Sequence, residues 1–436
     1  MSEKTSYRSI IKSATIFGGV QVANIAISLI RNKAIALLIG PAGIGMVGLF
    51  TSAINFISGL TSLGLETSAV KFISQHNADD EKDKLHTIVA VLRKLVWITG
   101  LCGALVIACL SHYLSMLTFG NSTHTLSFVL LSLAVLFRQV SIGELALLQG
   151  LQKLRWLAQA NLTGNVLGLL ISLPLYFFFK IDAILPSIII SSFTGFCLSW
   201  HYSRKTSLHR VKVTSVQLLQ ESKEMLRLGG VISVISLTAA FVAYVIQIYI
   251  TKIDGLTAVG NYHAGFTLLN SYAALVLTAM ATDYLPRLLA VSNDNSKLHK
   301  VIQEQMQFAV LLMIPIIALF IVFAPLIIKI LFSAKFIVIL PMLRIGIIGM
   351  LFRAASWPMS YIFIAKGNLK QFILVEVSYS ALFLLLHIIC YNRYGLTGLG
   401  IAYFIQYVLY FAGLLVVIYR KYRFMVSIEF VRVLAA

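Results

Sequence analysis

Long apolar runs separated by short polar segments dominate the chain from about residue 12 onward. A helix crosses a hydrocarbon core of about 30 Å with about twenty apolar residues. On that measure spans are expected at 12–39, 44–70, 95–117, 126–149, 157–179 and 183–203, and again at 229–252, 257–285, 306–332, 340–365, 370–391 and 397–419. The expected class is an all-α polytopic membrane protein with about twelve transmembrane helices. The longest polar stretch sets the expected organisation: an N-terminal six-helix lobe at 1–203, a basic cytoplasmic linker at 204–228, a C-terminal six-helix lobe at 229–423 and a cytoplasmic tail at 424–436.

The two halves share sequence features in the same order. Gly40, Gly45 and Asn55 recur 215 residues later as Gly255, Gly260 and Asn270. Lys84-Leu85-His86 recurs as Lys297-Leu298-His299, and Gly18-Gly19 as Gly229-Gly230, at nearly the same offset. Six helices return a chain to the side it started from, so two such halves form parallel repeats about an axis along the membrane normal, enclosing a central cleft.

Composition agrees with lipid as the solvent. Hydrophobic residues make up 59% of the 436 positions and charged residues only 12%, and the mean hydropathy is +0.89. Too few charges are present to cover a water-facing surface. The formal net charge of +19 lies in short segments between apolar runs and carries no aromatic-basic pattern for bases, so nucleic acid is not an expected partner. With the N-terminus inside, 25 Lys and Arg fall in cytoplasmic segments and only 5 in the opposite loops, which places both termini in the cytoplasm. The N-terminal segment has no small-residue cleavage site, so no cleaved leader is expected. Cys102, Cys109, Cys197 and Cys390 all lie in apolar runs without metal spacing. No phosphate-cradling glycine loop, metal cluster or catalytic set stands out, and no enzyme, cofactor or metal is expected.

Charges inside the spans carry the chemistry, because an ionisable group in hydrocarbon usually faces protein or a wet cavity. Arg138 and Arg353 lie near mid-depth of their spans, separated by the same 215 residues, and are expected to line the cavity. The alternative is that each neutralises a carboxylate such as Glu144. Arg353, Ser356, Trp357 and Ser360 share a helical stripe, with Pro358 interrupting the backbone ladder. Arg31 shares another with Gln21, Asn24 and Ser28, whereas Lys33 points elsewhere and is expected to snorkel. Asn55 and Asn270 would add neutral hydrogen bonds, or serve helix packing. Glu376, Tyr379, Phe383 and His387 form a further stripe, making Glu376, His387 and Glu144 candidates for ion coupling. Glu66 and Asp283 read instead as interface or paired acids, with Arg287 one turn after Asp283.

The segment Leu38-Ile39-Gly40-Pro41-Ala42-Gly43-Ile44-Gly45, a long helix, and then Ser68-Ala69-Val70-Lys71-Phe72-Ile73-Ser74 resemble the first two helices of Wzx-type polysaccharide flippases, within the multidrug/oligosaccharidyl-lipid/polysaccharide exporter superfamily. The resemblance implies alternating access between two lobes and ion-gradient coupling. It also implies a substrate such as an undecaprenyl-pyrophosphate-linked O-antigen unit, carried to the outer leaflet of a bacterial cytoplasmic (inner) membrane. Partners would be that lipid-linked anionic oligosaccharide, the surrounding lipids and glycan polymerase machinery. The oligomeric state is left open, and a monomer suffices for the plan. A multidrug or cation antiporter of the same superfamily is the alternative. Arg138, Arg353, Arg31, Asn55, Asn270 and Trp357 are the expected substrate contacts, on charge, depth and repeat position rather than on any family motif.

Overall fold

The structure is a computed structural model that describes residues 3–78, 81–206, 211, 213–427 and 430. Those residues form helices α1 (Glu3–Leu38), α2 (Pro41–Ser62), α3 (Leu65–Ala78), α4 (Lys82–Cys109), α5 (Ser111–Phe119), α6 (Thr125–Gly150), α7 (Leu154–Phe179) and α8 (Ile184–Ser203). The chain continues through α9 (Ser215–Ala290), α10 (Asn295–Leu331), α11 (Leu340–Ala365) and α12 (Leu369–Tyr422). No strand occurs among the described residues. Hydrocarbon leaves no solvent for unpaired backbone groups, and a helix satisfies its own.

Eight helical stretches among the described residues are long and apolar enough to cross a membrane. Three of them, Leu154–Ser203, Ser233–Asn270 and Leu369–Tyr422, are 50, 38 and 54 residues long. Each is interrupted once, at Lys180, Gly255 and Gly395, and each contains parts of two expected spans. Large side chains on these helices face outward, with Phe178 73% and Leu374 68% exposed, as a lipid-facing surface requires. The chain is a multi-pass membrane protein. The expected span at 12–39 falls on α1 but for its last residue.

Two expected spans divide. The run at 44–70 breaks between α2 and α3, where Leu63 (φ 47°) and Gly64 (φ 67°) both take left-handed backbone. Gly64 meets the backbone of Gly229 so closely that a Cβ on either residue would collide with the other chain segment. Only glycine tolerates both demands. The run at 95–117 becomes α4 and α5, and α4 begins thirteen residues earlier than expected, at Lys82.

Contacts divide the chain into two compact units, the first reaching Tyr244 and including Thr251–Ile253, the second comprising Val245–Ile250 and the residues from Asp254 onward. The 204–228 stretch belongs to the first unit. Lys94 Nζ donates to the Val213 carbonyl at 3.1 Å. The first arm of α9 then packs along α2: Phe56 lies 5.4 Å from Phe241 ring to ring, and Tyr244 hydrogen-bonds Thr118 of α5 at 2.7 Å. In the second unit two aromatic rings anchor the tail. Phe424 and Phe430 are each 1% exposed, and Gln303 donates to the Met425 carbonyl at 2.6 Å.

Backbone geometry recurs at the 215-residue offset. Gly40 (φ 89°, ψ −164°) ends α1, and Gly255 (φ 76°, ψ −173°) breaks α9 in the same way. Lys180 (φ 48°, ψ −119°) closes α7 as Gly395 (φ 55°, ψ −138°) breaks α12. Gln152 (φ 55°) follows α6 as Gly367 (φ 69°) follows α11. The first half thus holds Lys180 and Gln152 in conformations its counterpart assigns to glycine. Left-handed backbone strains an L-residue by roughly 1–2 kcal/mol, part of which glycine's larger unfolded-state entropy offsets. Lys180→Gly and Gln152→Gly are each expected to raise the thermal unfolding midpoint in detergent by the equivalent of roughly 0.5–1 kcal/mol. Gly255→Ala is expected to lower it.

Candidate functional site

The second unit places Arg353, on α11, among neutral groups. Its Nη1 donates to Asn270 Oδ1 at 2.6 Å and to the Tyr403 hydroxyl at 3.0 Å, and the guanidinium stands 5.6 Å from the Tyr407 ring centroid. Asn270 is itself held, donating from Nδ2 to the Phe266 carbonyl at 3.0 Å. No carboxylate among the described residues forms an ion pair with this half-buried cation. Both of these hydrogen bonds leave from one nitrogen, so the rest of the planar fork is available to an anion.

Beside it lies a ladder of tyrosines. Tyr403 and Tyr407 stand 4.9 Å apart, Tyr379 lies 5.7 Å from Tyr407 and 4.2 Å from Tyr410, and the Tyr410 hydroxyl donates to Glu376 Oε1 at 2.5 Å. Tyr403, Tyr407 and Tyr410 escaped the sequence reading, although their i, i+4, i+7 spacing puts them on one face. His387 is 1% exposed, stacked 3.9 Å from Phe383, with Nδ1 2.8 Å from the Phe383 carbonyl. Glu376 and His387 lie eleven residues apart on α12's first arm, three helical turns along one face.

Trp357 is placed differently from its expected role. It packs 5.5 Å from Tyr284 and 5.2 Å from Tyr361, inside an apolar cluster, and the ring beneath Arg353 belongs to Tyr407. The serines of the same stripe turn back on their own helix: Ser356 donates to the Phe352 carbonyl at 2.6 Å and Ser360 to the Trp357 carbonyl at 2.9 Å.

In the first unit Arg138 is half-buried on α6, and its main opposite charge is Glu66 of α3. Glu144 does not serve it. That carboxylate, 3% exposed, takes two hydrogen bonds from Arg93 of α4, at 3.1 Å from Nε and 3.2 Å from Nη2. Committed to this pair, Glu144 is unsuited to ion coupling. Asn55 is exposed on α2 and forms no hydrogen bond with Arg138, unlike its counterpart Asn270 with Arg353. Arg31 is half-buried, with Nε shielded and unpartnered among the described residues, and Tyr176 of α7 lies within its electrostatic reach. Asn165 of α7 donates to Asn24 of α1 at 2.9 Å. The two mid-span arginines therefore have unequal surroundings: Arg138 faces an acid, whereas Arg353 is held by an amide and phenols.

The helical hairpins at equivalent positions differ as sharply. In the first unit α7 meets α8 through small residues, and a Cβ on Gly164 would stand 3.4 Å from Gly195 Cα. The residues 215 positions later are Tyr379 and Tyr410, also in contact. Ser172 and Ser191, with hydroxyls 3.5 Å apart, correspond to His387 and Gln406. The same contact pattern carries packing residues in one half and titratable or polar ones in the other.

A family model described as polysaccharide biosynthesis protein matches residues 34–341. The fold is similar to an inward-facing multidrug resistance MATE family transporter of the MOP superfamily, at a TM-score of 0.73 and 15% identity over 97% of this chain and 94% of that one. It is also similar to the lipid II flippase MurJ in its inward closed conformation, at 0.69 and 15% identity over 98% and 90%. A third neighbour is a MOP superfamily transporter from Pyrococcus furiosus with a binding pocket of reversed polarity, at 0.66 and 15% identity over 94% and 96%. No curated protein matches the chain by sequence. Identities at this level show the shared fold.

Removing one member of a buried ion pair strands the other, at a cost of about 3–5 kcal/mol for full burial. Arg93 is 24% exposed on its side chain, so a cost near the lower end applies. Glu144→Ala is expected to destabilise the protein by roughly 2–3 kcal/mol in detergent melts. Adding Arg93→Ala should cost less than the sum of the two single changes, because no unpaired charge then remains.

Proposed function

The chain belongs to the polysaccharide biosynthesis protein family, and from that membership we propose that it is a flippase for a lipid-linked oligosaccharide. The substrate is an undecaprenyl-pyrophosphate-linked surface-glycan unit such as an O-antigen repeat, moved from the cytoplasmic to the outer leaflet of a bacterial inner membrane. Twelve helices in two parallel repeats, with both termini cytoplasmic, accord with the 25-to-5 charge bias and with the recurrence of glycine-type backbone at the 215-residue offset. Movement follows alternating access, and the lipid tail stays in the bilayer while the headgroup crosses.

One observation carries the reading: Arg353 has no counter-ion among the described residues, and its hydrogen bonds leave from Nη1 alone. A guanidinium presents its donors in a planar fork that matches phosphate oxygens bidentately. Asn270 and Tyr403 orient the fork without neutralising it, so the charge is available to a pyrophosphate. Arg138, partly offset by Glu66, and Arg31 are further cations for the headgroup during passage. A drug cation would need a free carboxylate instead. Glu144 is bound by Arg93, Glu66 is near Arg138, and Glu376 accepts from Tyr410, which disfavours a cation antiporter.

Charge-assisted hydrogen bonds contribute about 1.5–3 kcal/mol, or roughly 10–100-fold in binding. Arg353→Ala is expected to slow flipping of lipid-linked oligosaccharide in proteoliposomes by at least about tenfold, and Arg353→Lys to recover only part, since an ammonium lacks the fork. Wild-type flipping by folded Arg353→Ala would overturn the assignment. Gain of cationic-drug extrusion in its place would support the antiporter.

A further inference from the structure

We propose that the hairpin formed by α12 is a proton path, with Asp254 at its Gly395 turn and Glu376 at its open end. Glu376, Tyr379, Phe383, His387 and Tyr391 follow one another at spacings of three or four residues, a single face of the first arm. From Glu376 to Tyr391 the face rises about 22 Å at 1.5 Å per residue, most of a hydrocarbon core.

Each end holds a carboxylate bonded to a phenol. The Tyr391 hydroxyl donates to Asp254 Oδ2 at 2.5 Å, and the Tyr410 hydroxyl donates to Glu376 Oε1 at 2.5 Å. Between them the polar groups are shielded from solvent yet unpartnered among the described residues: the Tyr379 hydroxyl, His387 Nε2, and both amide atoms of Gln406. Gln406 is fully buried, and His387 is 1% exposed. The contact of Tyr379 with Tyr410 fixes the register of the two antiparallel arms and sets Gln406 opposite Phe383, between Tyr379 and His387. Burying unpaired polar atoms is unfavourable, so their alignment along one seam calls for a purpose other than packing.

The hairpin of the first unit supplies the comparison. At the positions equivalent to Glu376, Tyr379, Phe383, His387 and Gln406 it has Asn161, Gly164, Gly168, Ser172 and Ser191. Close packing there is achieved without an ionisable group at any of the five. Tyr391 alone keeps its phenol in the first unit, as Tyr176, so the rest of the titratable seam is an addition to the second unit and not a requirement of the hairpin.

His387 is fixed in one tautomer by its surroundings. A carbonyl can only accept, so Nδ1 carries the hydrogen toward Phe383 and Nε2 presents a lone pair to the seam. Nε2 takes up a proton and returns it to the next hydroxyl, and each tyrosine oxygen accepts on one side as it donates on the other. Phe383 carries no proton, so Tyr379 and His387 are two helical turns apart, about 12 Å, and the Gln406 amide opposite Phe383 divides that gap into two that bridging water spans.

The groups facing Glu376 are Tyr410 and Tyr379, with Arg353 of α11 beyond Tyr407. Facing His387 are Phe383, Phe266 and, across Phe266, Tyr403, with His263 one turn before Phe266 on α9. Tyr391 faces Asp254, and Tyr249 bonds the neighbouring Asn392 at 2.6 Å. Arg353 donates to Tyr403 and stands over Tyr407, so an anion on Arg353 and a proton on Glu376 act on the same phenols. That link rests on the flippase reading and makes proton movement the partner of headgroup movement.

The test uses the full-length protein in liposomes loaded with a pH-sensitive dye, with potassium and valinomycin clamping the voltage. An inward proton gradient is imposed with and without lipid-linked oligosaccharide in the membrane, and flipping is measured in parallel. Wild type is expected to acidify the lumen when the oligosaccharide is present. Glu376→Gln, Tyr410→Phe, Tyr379→Phe and His387→Asn should each reduce that acidification at least about tenfold, by removing a carrier from a series path. Tyr410→Phe and Tyr379→Phe each delete one oxygen and keep the ring, so loss of fold does not account for their effect; Leu385→Ala, on the exposed face, should match wild type. Flipping in every variant with acidification equal to wild type would overturn the path and leave the flippase standing. Acidification lost in the variants, from a wild type that never flips the oligosaccharide, would keep the path and remove the flippase.

Discussion

An unpaired peptide group in hydrocarbon costs several kcal/mol, and the rest of this structure follows from avoiding it. Every described span is helical, and the breaks are confined to sites with a specific answer for the freed backbone groups. Gly40 precedes Pro41, which needs no hydrogen-bond partner at the first turn of α2. Gly255 and Gly395 interrupt α9 and α12 with backbone that side chains disfavour. At Gly64 and Gly229 two segments approach so closely that neither can carry a Cβ. Where the chain turns, how far each helix runs, and which arms form hairpins all follow from these few positions.

The same low dielectric governs the charges. Glu144 lies buried because Arg93 answers it with two hydrogen bonds. Arg353 departs from that rule, being oriented by an amide and a phenol that leave its charge intact. A site of this kind has a standing electrostatic demand for an anion, the property a carrier of pyrophosphate-linked glycans requires. The α12 seam differs in another way: the Tyr379 hydroxyl, His387 Nε2 and the Gln406 amide are buried without a partner among the described residues, where the equivalent hairpin of the other half packs through glycine and serine.

The helices were legible because hydropathy reports the solvent directly, although the expected spans at 44–70 and 95–117 each divide between two helices. Their interruptions were less so. The break at Leu63–Gly64 depends on contact with Gly229, 165 positions away in sequence, which no local window contains. Of the residues proposed for the site, Arg353, Asn270, Glu376 and His387 are those that charge, depth and helical spacing single out. Trp357 was not, since an indole on a polar stripe and an indole in an aromatic cluster have the same sequence neighbours. Tyr403, Tyr407 and Tyr410 were hidden in an apolar run, where phenols read as interface anchors until Arg353 and Glu376 stand beside them.

The sequence by itself determined that the chain lives in a membrane, and that residues of its two halves recur 215 positions apart. These are properties of composition and order, and they act through solvent transfer, which needs no partner. Only the tertiary structure decided which charges are answered. Arg138 and Arg353 occupy equivalent places in the sequence, yet Glu66 from α3 meets one and Asn270 with Tyr403 meets the other. Electrostatic energy depends on separation in space, and the groups that settle it lie up to 83 positions away along the chain.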